Sequence, residues 1–481
     1  MAKLDVLGLR QIDERITRFL CATVHLDGTF ANYAWVALLA PGRQAQAPEH
    51  EIDPIAVARH ARLSLGRRKS RDQQLLIVLA AVIGAGVFFV GVGAGGSLTI
   101  GQVAVLICAL PLVGWLFALL VVFQHYSAVR ESALTVFKGT AGFARNAAPP
   151  LDLEVEERLL RVHYQNAIIY NSFSPFVGTG HTLDSWRINL YTQPPAGMRV
   201  LGAPPPVVFT PTEVQQYLMD VVPSVLNRDA ERVRVERRLY VDGGTASNVP
   251  GLVPEGQGPT VAVRPRAIVG DDLLDEFTEN PTRTARTYCC FVENSGNGDV
   301  VVTVMLRAEM VGEALYVEGR SQVLLPVQPG FKDVYWVSPD PGQASLPVLR
   351  TALPRTTGLW LESPIRLFKS WTGDRKDARA LRDEGYRVER SQPVNFGASS
   401  SLREDAALPS DPGFYGAMDQ VVYSRVITQQ IFESLNDLLA SRGVSSPDLE
   451  EQRRLLVEQT FNLEGIRNAA PSGTGNNALR R

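Results

Sequence analysis

Gln74–Ala94 reads QLLIVLAAVIGAGVFFVGVGA, and Gln102–Phe123 reads QVAVLICALPLVGWLFALLVVF. Each run is as long as the ~20 apolar residues a helix needs to cross a bilayer. They are joined by Gly95-Gly96-Ser97-Leu98-Thr99-Ile100-Gly101, which is small and uncharged. Residues 73 to 129, 57 in all, contain no Asp, Glu, Lys or Arg, although 20% of the chain is charged. A soluble core rarely strings together so long an uncharged stretch. The pattern predicts a transmembrane helical hairpin over 73–124, with the lipid bilayer as its first partner.

The flanks predict the orientation. Arg59, Arg62, Arg67, Arg68, Lys69 and Arg71 precede the first run, and Arg130, Lys138 and Arg145 follow the second. Basic flanks stay on the cytoplasmic side, so both termini are expected in the cytoplasm of a cell with this hairpin in its inner (plasma) membrane. Arg67, Arg68, Lys69 and Arg71 set the topology and lie where they could meet anionic headgroups. Gly91-x-Gly93-x-x-Gly96 matches the dinucleotide fingerprint, but it follows no strand and opens no βαβ unit. Gly91 and Gly95, four apart, instead suit close helix packing in lipid, within the hairpin or against a second copy. Neither apolar run holds an ionisable residue of the kind that marks an ion or proton pathway.

The remaining chain reads as α+β. Residues 1–72 form an N-terminal cytoplasmic helical segment, with Ile16, Phe19 and Leu20 at helical spacing and a turn at Asp27-Gly28. Asp53-Pro54 starts a helix that runs into the first span. Residues 125–150 are a connector, 151–467 a large cytoplasmic mixed domain, and 468–481 a Gly/Asn/Ser-rich tail expected to be disordered. The clearest strands are Tyr288–Val292 and Val300–Leu306, joined by an Asn/Gly turn. Third and fourth strands are expected at Ala314–Glu318 and Gln322–Leu325. Arg366–Trp371 is weakly helical, Ser391–Pro412 reads as an exposed loop, and Met418 to Leu438 forms an amphipathic helix ending at Gly443.

Composition bounds the function. A net charge of −2 argues against nucleic acid as the main partner. Four cysteines make no disulfide framework, and the six histidines show no zinc spacing. Cys289 and Cys290 point to opposite faces of one strand and read as structural. No phosphate loop is present, and no cofactor or metal is expected. The candidate functional loop is Ser174-Pro175-Phe176-Val177-Gly178, followed by His181, Asp184 and Ser185. Those three could be imagined as a hydrolase triad, but no nucleophile-elbow motif accompanies them, and a structural turn is the simpler reading. The arginines at 232–238, with Arg264 and Arg266, read mainly as a solvated strand face that could meet headgroups or an acidic partner.

Several segments resemble a family of uncharacterised two-span membrane proteins of actinobacteria. They are Arg18-Phe19-Leu20-Cys21-Ala22 with His25-Leu26-Asp27, the basic cluster before the double span, the SPFVG-type loop at 174–178, Leu315-Tyr316-Val317-Glu318, and Gly443-Val444 to Gln452-Arg453. The resemblance implies location and architecture and no activity. The leading expectation is a membrane-anchored cytoplasmic binding, scaffold or sensor protein with a protein partner. A membrane-perturbing effector of stress or phage defence, oligomerising through the hairpin, is the alternative. A hydrolase using residues 172–185 is the third reading.

Overall fold

The structure is a computed structural model that describes residues 14–39, 42–94, 99–139, 142–171, 173–191, 209–227, 233–254, 264–295, 298–312, 314–337, 345–390, 394–409 and 413–442. The longest helix begins at Asp53. Its Oδ1 accepts from the N–H groups of Ile55 (2.9 Å) and Ala56 (3.2 Å). Pro54 follows, at a position where a missing N–H costs nothing. From there α3 (Pro54–Ala94) runs 41 residues without a break. Thr99 opens α4 (Ile100–Lys138) with a capping box to Gln102, and Gly139 closes it in the left-handed conformation at φ +66°.

At 1.5 Å per residue, a helix of this length is about 60 Å long, roughly twice the thickness of a hydrocarbon core. Only the distal half is bare. There Ile77, Ile83, Val87, Phe88, Leu112, Leu116 and Phe117 are exposed. The basal half is buried in a helical cluster with α1 (Glu14–Leu26), α2 (Gly28–Leu38) and α5 (Leu153–His163). Phe19, Leu20, Ala34, Val57, Ala61, Ala133 and Val136 form its centre. The predicted connector at 125–150 is therefore mostly ordered helix: α4 continues to Lys138, and a short 3-10 turn covers Ala144–Ala147.

The body carries one six-stranded sheet in the order β1-β3-β4-β5-β6-β2. The strands are β1 (Ala167–Tyr170), β2 (His181–Tyr191), β3 (Val233–Asp242), β4 (Ala285–Ser295), β5 (Val300–Val311) and β6 (Ala314–Leu324). Only β1 with β3 is parallel. One sheet face packs on α6 (Pro211–Leu226) and α11 (Gly413–Ser441) through Phe291, Val302, Val304, Leu218, Ile431 and Leu435. The other face holds Ile168, Phe176, Tyr240, Tyr288 and Met305. Cys289 and Cys290 are both fully buried, one on each face, as their alternation requires. A shorter helix, α7 (Asp271–Glu279), covers the β1–β3 end.

The α+β class and the hairpin of two long apolar helices agree with the sequence reading. Two segments differ. The expected third and fourth strands are one strand, β6, which passes straight through Gly319. A Cβ at Gly319 would run into the indole of Trp186 on the neighbouring strand, so glycine there makes room for the ring and breaks nothing. The helical reading of Arg366–Trp371 holds, within a longer helix, α9 (Ser363–Glu389), which follows α8 (Ser345–Leu361). Residues 394–409 are no exposed loop: Phe396, Ala398, Leu402, Arg403 and Ala406 are buried, and Leu402–Asp405 forms a one-turn helix, α10. The expected stripe from Met418 to Leu438 lies in α11, while Gly443, the segment beyond it and the tail from 468 fall outside the described residues.

Gly319→Ala should destabilise the protein by about 1–3 kcal/mol through overpacking, read as a lower thermal midpoint in detergent. Gly66→Ala, at an exposed position of α3 with nothing within 4 Å, should raise the midpoint slightly, because alanine is the better helix former. Equal shifts in the two variants would contradict the packing account.

Candidate functional site

The SPFVG loop joins β1 to β2, and its shape depends on two glycines. Gly178 and Gly180 have φ of +86° and +83°, where side chains other than glycine's are strained. A Cβ on Gly178 would also come within 2.6 Å of the Pro48 carbonyl oxygen. Phe176 anchors the loop, packed edge-on against Tyr240 (5.2 Å) and Tyr288 (5.4 Å). The Arg320 guanidinium lies 5.2 Å from the centre of the Phe176 ring. Pro175 is half-buried, whereas Ser174 and His181 are exposed.

The loop borders a cleft of about 440 Å³ whose opposite wall is the 399–409 segment. Ser174, Phe176, His181, Ser400, Glu404 and Asp405 all line it. Glu404 joins the walls, accepting from the Gly178 N–H at 2.6 Å. Burial pushes its carboxyl above the ordinary range. Tyr33 of α2 hydrogen-bonds Asp405 and lies 3.2 Å from the Ser400 hydroxyl.

Beneath the cleft sits Glu49. Its carboxylate accepts from the Leu402 N–H (2.8 Å), the Arg403 N–H (2.9 Å) and the Ser401 hydroxyl (2.9 Å), so it caps α10 from outside. Burial nevertheless pushes it up to about 7. Arg403 is itself fully buried and donates to the carbonyls of Gly298 (3.2 Å), Asp299 (3.4 Å) and Leu325 (2.9 Å). Around Leu408 the cleft adjoins a second depression, lined by Asp299, Pro329, Lys332, Tyr335 and Trp336. Trp336 is 87% exposed there. Together they form a groove with an aromatic end and an acidic end.

The other candidates divide. His181, Asp184 and Ser185 all lie on β2 and are exposed; Asp184 accepts from the Ser185 N–H at 2.7 Å, and no hydrogen bond links His181 to either. They do not make a base–nucleophile pair. Arg67 donates to Ala128 O (3.3 Å) and the Ser132 hydroxyl, Arg68 to His25 O (2.8 Å), and Arg71 to Asp72 (2.8 Å). Lys69 is exposed. Gly91 is exposed with open space where a Cβ would stand, and Gly95 lies outside the described residues. The close approach within the hairpin falls instead at Gly114, where a Cβ would overlap Val82 and stand 3.1 Å from the Trp360 ring.

The arginines of β3 are not a solvated face. Arg238 is buried and paired with Glu236 (2.6 Å) and His50 (3.2 Å). Arg237 pairs with Asp275 and Arg234 with Glu51. Arg232 lies outside the described residues. Arg264 and Arg266 line a separate cavity of about 800 Å³ with Arg158, Arg161 and Glu154, a lining that favours anions. Burial, then the neighbouring Arg158 charge, brings Arg264 down to about 10. Among the described residues no group of three or more His, Cys, Asp or Glu side chains is placed to hold a metal ion.

Sequence reasoning missed Glu49, Tyr33, Ser400, Glu404 and Asp405. One signal for them was present. Ser401-Leu402-Arg403-Glu404 has capping-box spacing, and the Ser401 hydroxyl does accept from the Glu404 N–H at 3.4 Å.

These features define a class: an α+β body built onto two helices long and apolar enough to cross a membrane. Residues 185–473 match the AbeC-like domain, and the chain belongs to that family. The match begins within β2 and takes in β3 to β6, α8, α9 and α11, but not β1, the SPFVG loop or the hairpin. No curated protein and no solved structure matches the chain.

Glu49 predicts a pH dependence. An unfolded glutamate loses its proton near 4.5, and this one does so near 7. Between those values the folded state holds the extra proton, so stability falls as pH rises through the window, by on the order of 3 kcal/mol at most. Buried His25 and His60, both lowered by burial, act oppositely: they cost stability as pH falls below about 6.5. Glu49→Gln should therefore flatten the fall between pH 5 and 7 relative to the parent in denaturant melts. Parallel pH profiles of the two proteins would refute the assignment.

Proposed function

We propose that this protein is a membrane-anchored binding or scaffold protein of a bacterial inner membrane, with the hairpin in the bilayer and the body in the cytoplasm. The supporting observation is the bare apolar surface on the distal halves of α3 and α4, which among the described residues α8 covers only on the side of Leu75, Gly114 and Ala118. The same helices are packed in polar-sided protein at their basal ends. A helix satisfies its backbone internally, so one helix can serve both media. The likeness to two-span actinobacterial proteins points the same way.

The partner surface in this reading is the groove between the SPFVG loop and Trp336. Exposed Trp and Tyr beside charged groups are the usual anchors of protein recognition. Tyr335 is braced edge-on by Phe137 at 5.0 Å, near the end of α4. Phe137 lies eight residues past Val129, about 12 Å along the helix, so the groove stands close to the membrane side of the body.

Reporter fusions at Ser97 and after Arg481 test the placement. The expected outcome is Ser97 outside and the C-terminus inside. A C-terminus outside would overturn the cytoplasmic body and move the partner search to the cell envelope. For the groove, a photo-crosslinker at Trp336 should capture a defined protein in cells, and Trp336→Ala should weaken that complex by about tenfold or more. Equal capture from exposed Val311, on the far end of β5, would count against the groove.

A second reading, oligomerisation through the hairpin, draws on the open surface at Gly91. It differs from the first in predicting loss of membrane potential on overexpression.

A further inference from the structure

We propose that α8 and α9 form a membrane-interface helix, with one apolar side lying in the lipid of the leaflet next to the body. This rests on the hairpin being membrane-spanning, and it assigns a lipid-binding role to a segment the spans do not include.

The two helices are nearly one. Glu362 between them keeps a right-handed helical backbone, its N–H bonds Gly358 O at 3.0 Å, and its carbonyl accepts from Arg366 N at 3.0 Å. One side of the pair faces the hairpin. Val348, Ala352, Thr356 and Trp360, four apart, are buried, and Ala352 and Trp360 share a core with Leu75, Ala118 and Val122. The Trp115 indole donates to the Thr357 hydroxyl at 3.1 Å. The four hairpin positions named here, and Gly114, belong to the stretch without charged residues. At its edge Asp72 is held by Arg71 (2.8 Å) and Arg366 (3.1 Å).

A second side is apolar and uncovered. Leu346, Leu353, Leu361, Ile365, Phe368 and Trp371 are 41–75% exposed. Their steps of seven, eight, four, three and three residues keep them on one helical face. The charged residues Arg355, Glu362, Arg366 and Lys369 fall on a third side, and Arg350 is the charged residue on the apolar side, between Leu346 and Leu353. An aqueous helix has no reason to show six large apolar groups in a row; a helix in the interface plane does.

What covers this side follows from continuity. It abuts the bare faces of α3 and α4 at the level between Asp72 and Val82, ten residues or about 15 Å of rise. A surface that meets lipid on the hairpin at that level meets lipid on the helix beside it. The end of the stripe fits this position. Trp371 is stacked under the Arg375 guanidinium at 3.4 Å, and tryptophan with a neighbouring cation is the pairing found at headgroup depth.

The test is depth-dependent quenching on the full chain in vesicles of phosphatidylcholine and phosphatidylglycerol with brominated acyl chains. Cys108, exposed on α4, is first replaced by serine. A fluorophore is then placed singly at Leu361→Cys, Phe368→Cys, Phe117→Cys on the span and Val311→Cys on the sheet. The expected result is quenching by bromolipid at 361 and 368 at least about twofold above that at 311, and of the same order as at 117. Quenching at 117 with 361 and 368 no different from 311 would overturn the inference and leave the anchor standing. No quenching at 117 would overturn the membrane reading and this one with it. Labels at 361 and 368 shielded from both bromolipid and aqueous iodide would show a protein on the stripe instead, and would also refute the lipid assignment.

Discussion

The arrangement depends on α3 and α4 staying helical from a packed base to a largely bare apolar end. A strand or a loop leaving an apolar medium would have to find new partners for its backbone groups. A helix carries its partners with it, and only its side chains need to change. In α3 they change at Asp72. Below it lie Arg59, with Glu156 at 2.7 Å, and Arg67, bonded to the Ala128 carbonyl; above it no ionised group follows for the rest of the helix. Asp72 itself, ringed by Arg71 and Arg366, ties the hairpin to the α8–α9 pair at that boundary.

Parts of this were legible because a single physical signal dominated. Absence of charge marks the hairpin, and no tertiary context can imitate 57 uncharged residues. Val300–Leu306 reads as strand because its β-branched side chains suit a buried pleated face on either side. The placement of Cys289 and Cys290 on opposite faces needs only the two-residue period. By contrast, α8 and α9 carry Pro347, Pro354 and Pro364, and Ala352 and Trp360 are buried against the hairpin. A local window therefore shows breakers and scattered apolar groups, not a core stripe.

The site was less legible than the fold. Its loop could be found, since Gly178 and Gly180 punctuate it and Phe176 anchors it. Its opposite wall could not. The segment at 394–409 is polar in composition because several of its buried groups are polar and bonded to distant parts of the chain: Ser401 and two backbone N–H groups to Glu49, and Arg403 Nη2 to carbonyls at 298, 299 and 325. Pairing across 78 to 354 positions in the chain leaves no periodic trace. The arginines of β3 misled for the same reason, since their carboxylate partners come from Glu51, Asp275 and a same-strand neighbour, Glu236.

The unbroken length of α3 has a mechanical consequence. No proline interrupts it after Pro54, and its glycines stay within one continuous helix to Ala94, so the hairpin and the α1–α2–α5 cluster have no joint between them. They turn as one lever. Over about 60 Å of helix, a change in tilt of about 10° at one end sweeps the other through about 10 Å. A surface attached to the basal end, as Tyr335 is through Phe137, travels with that sweep.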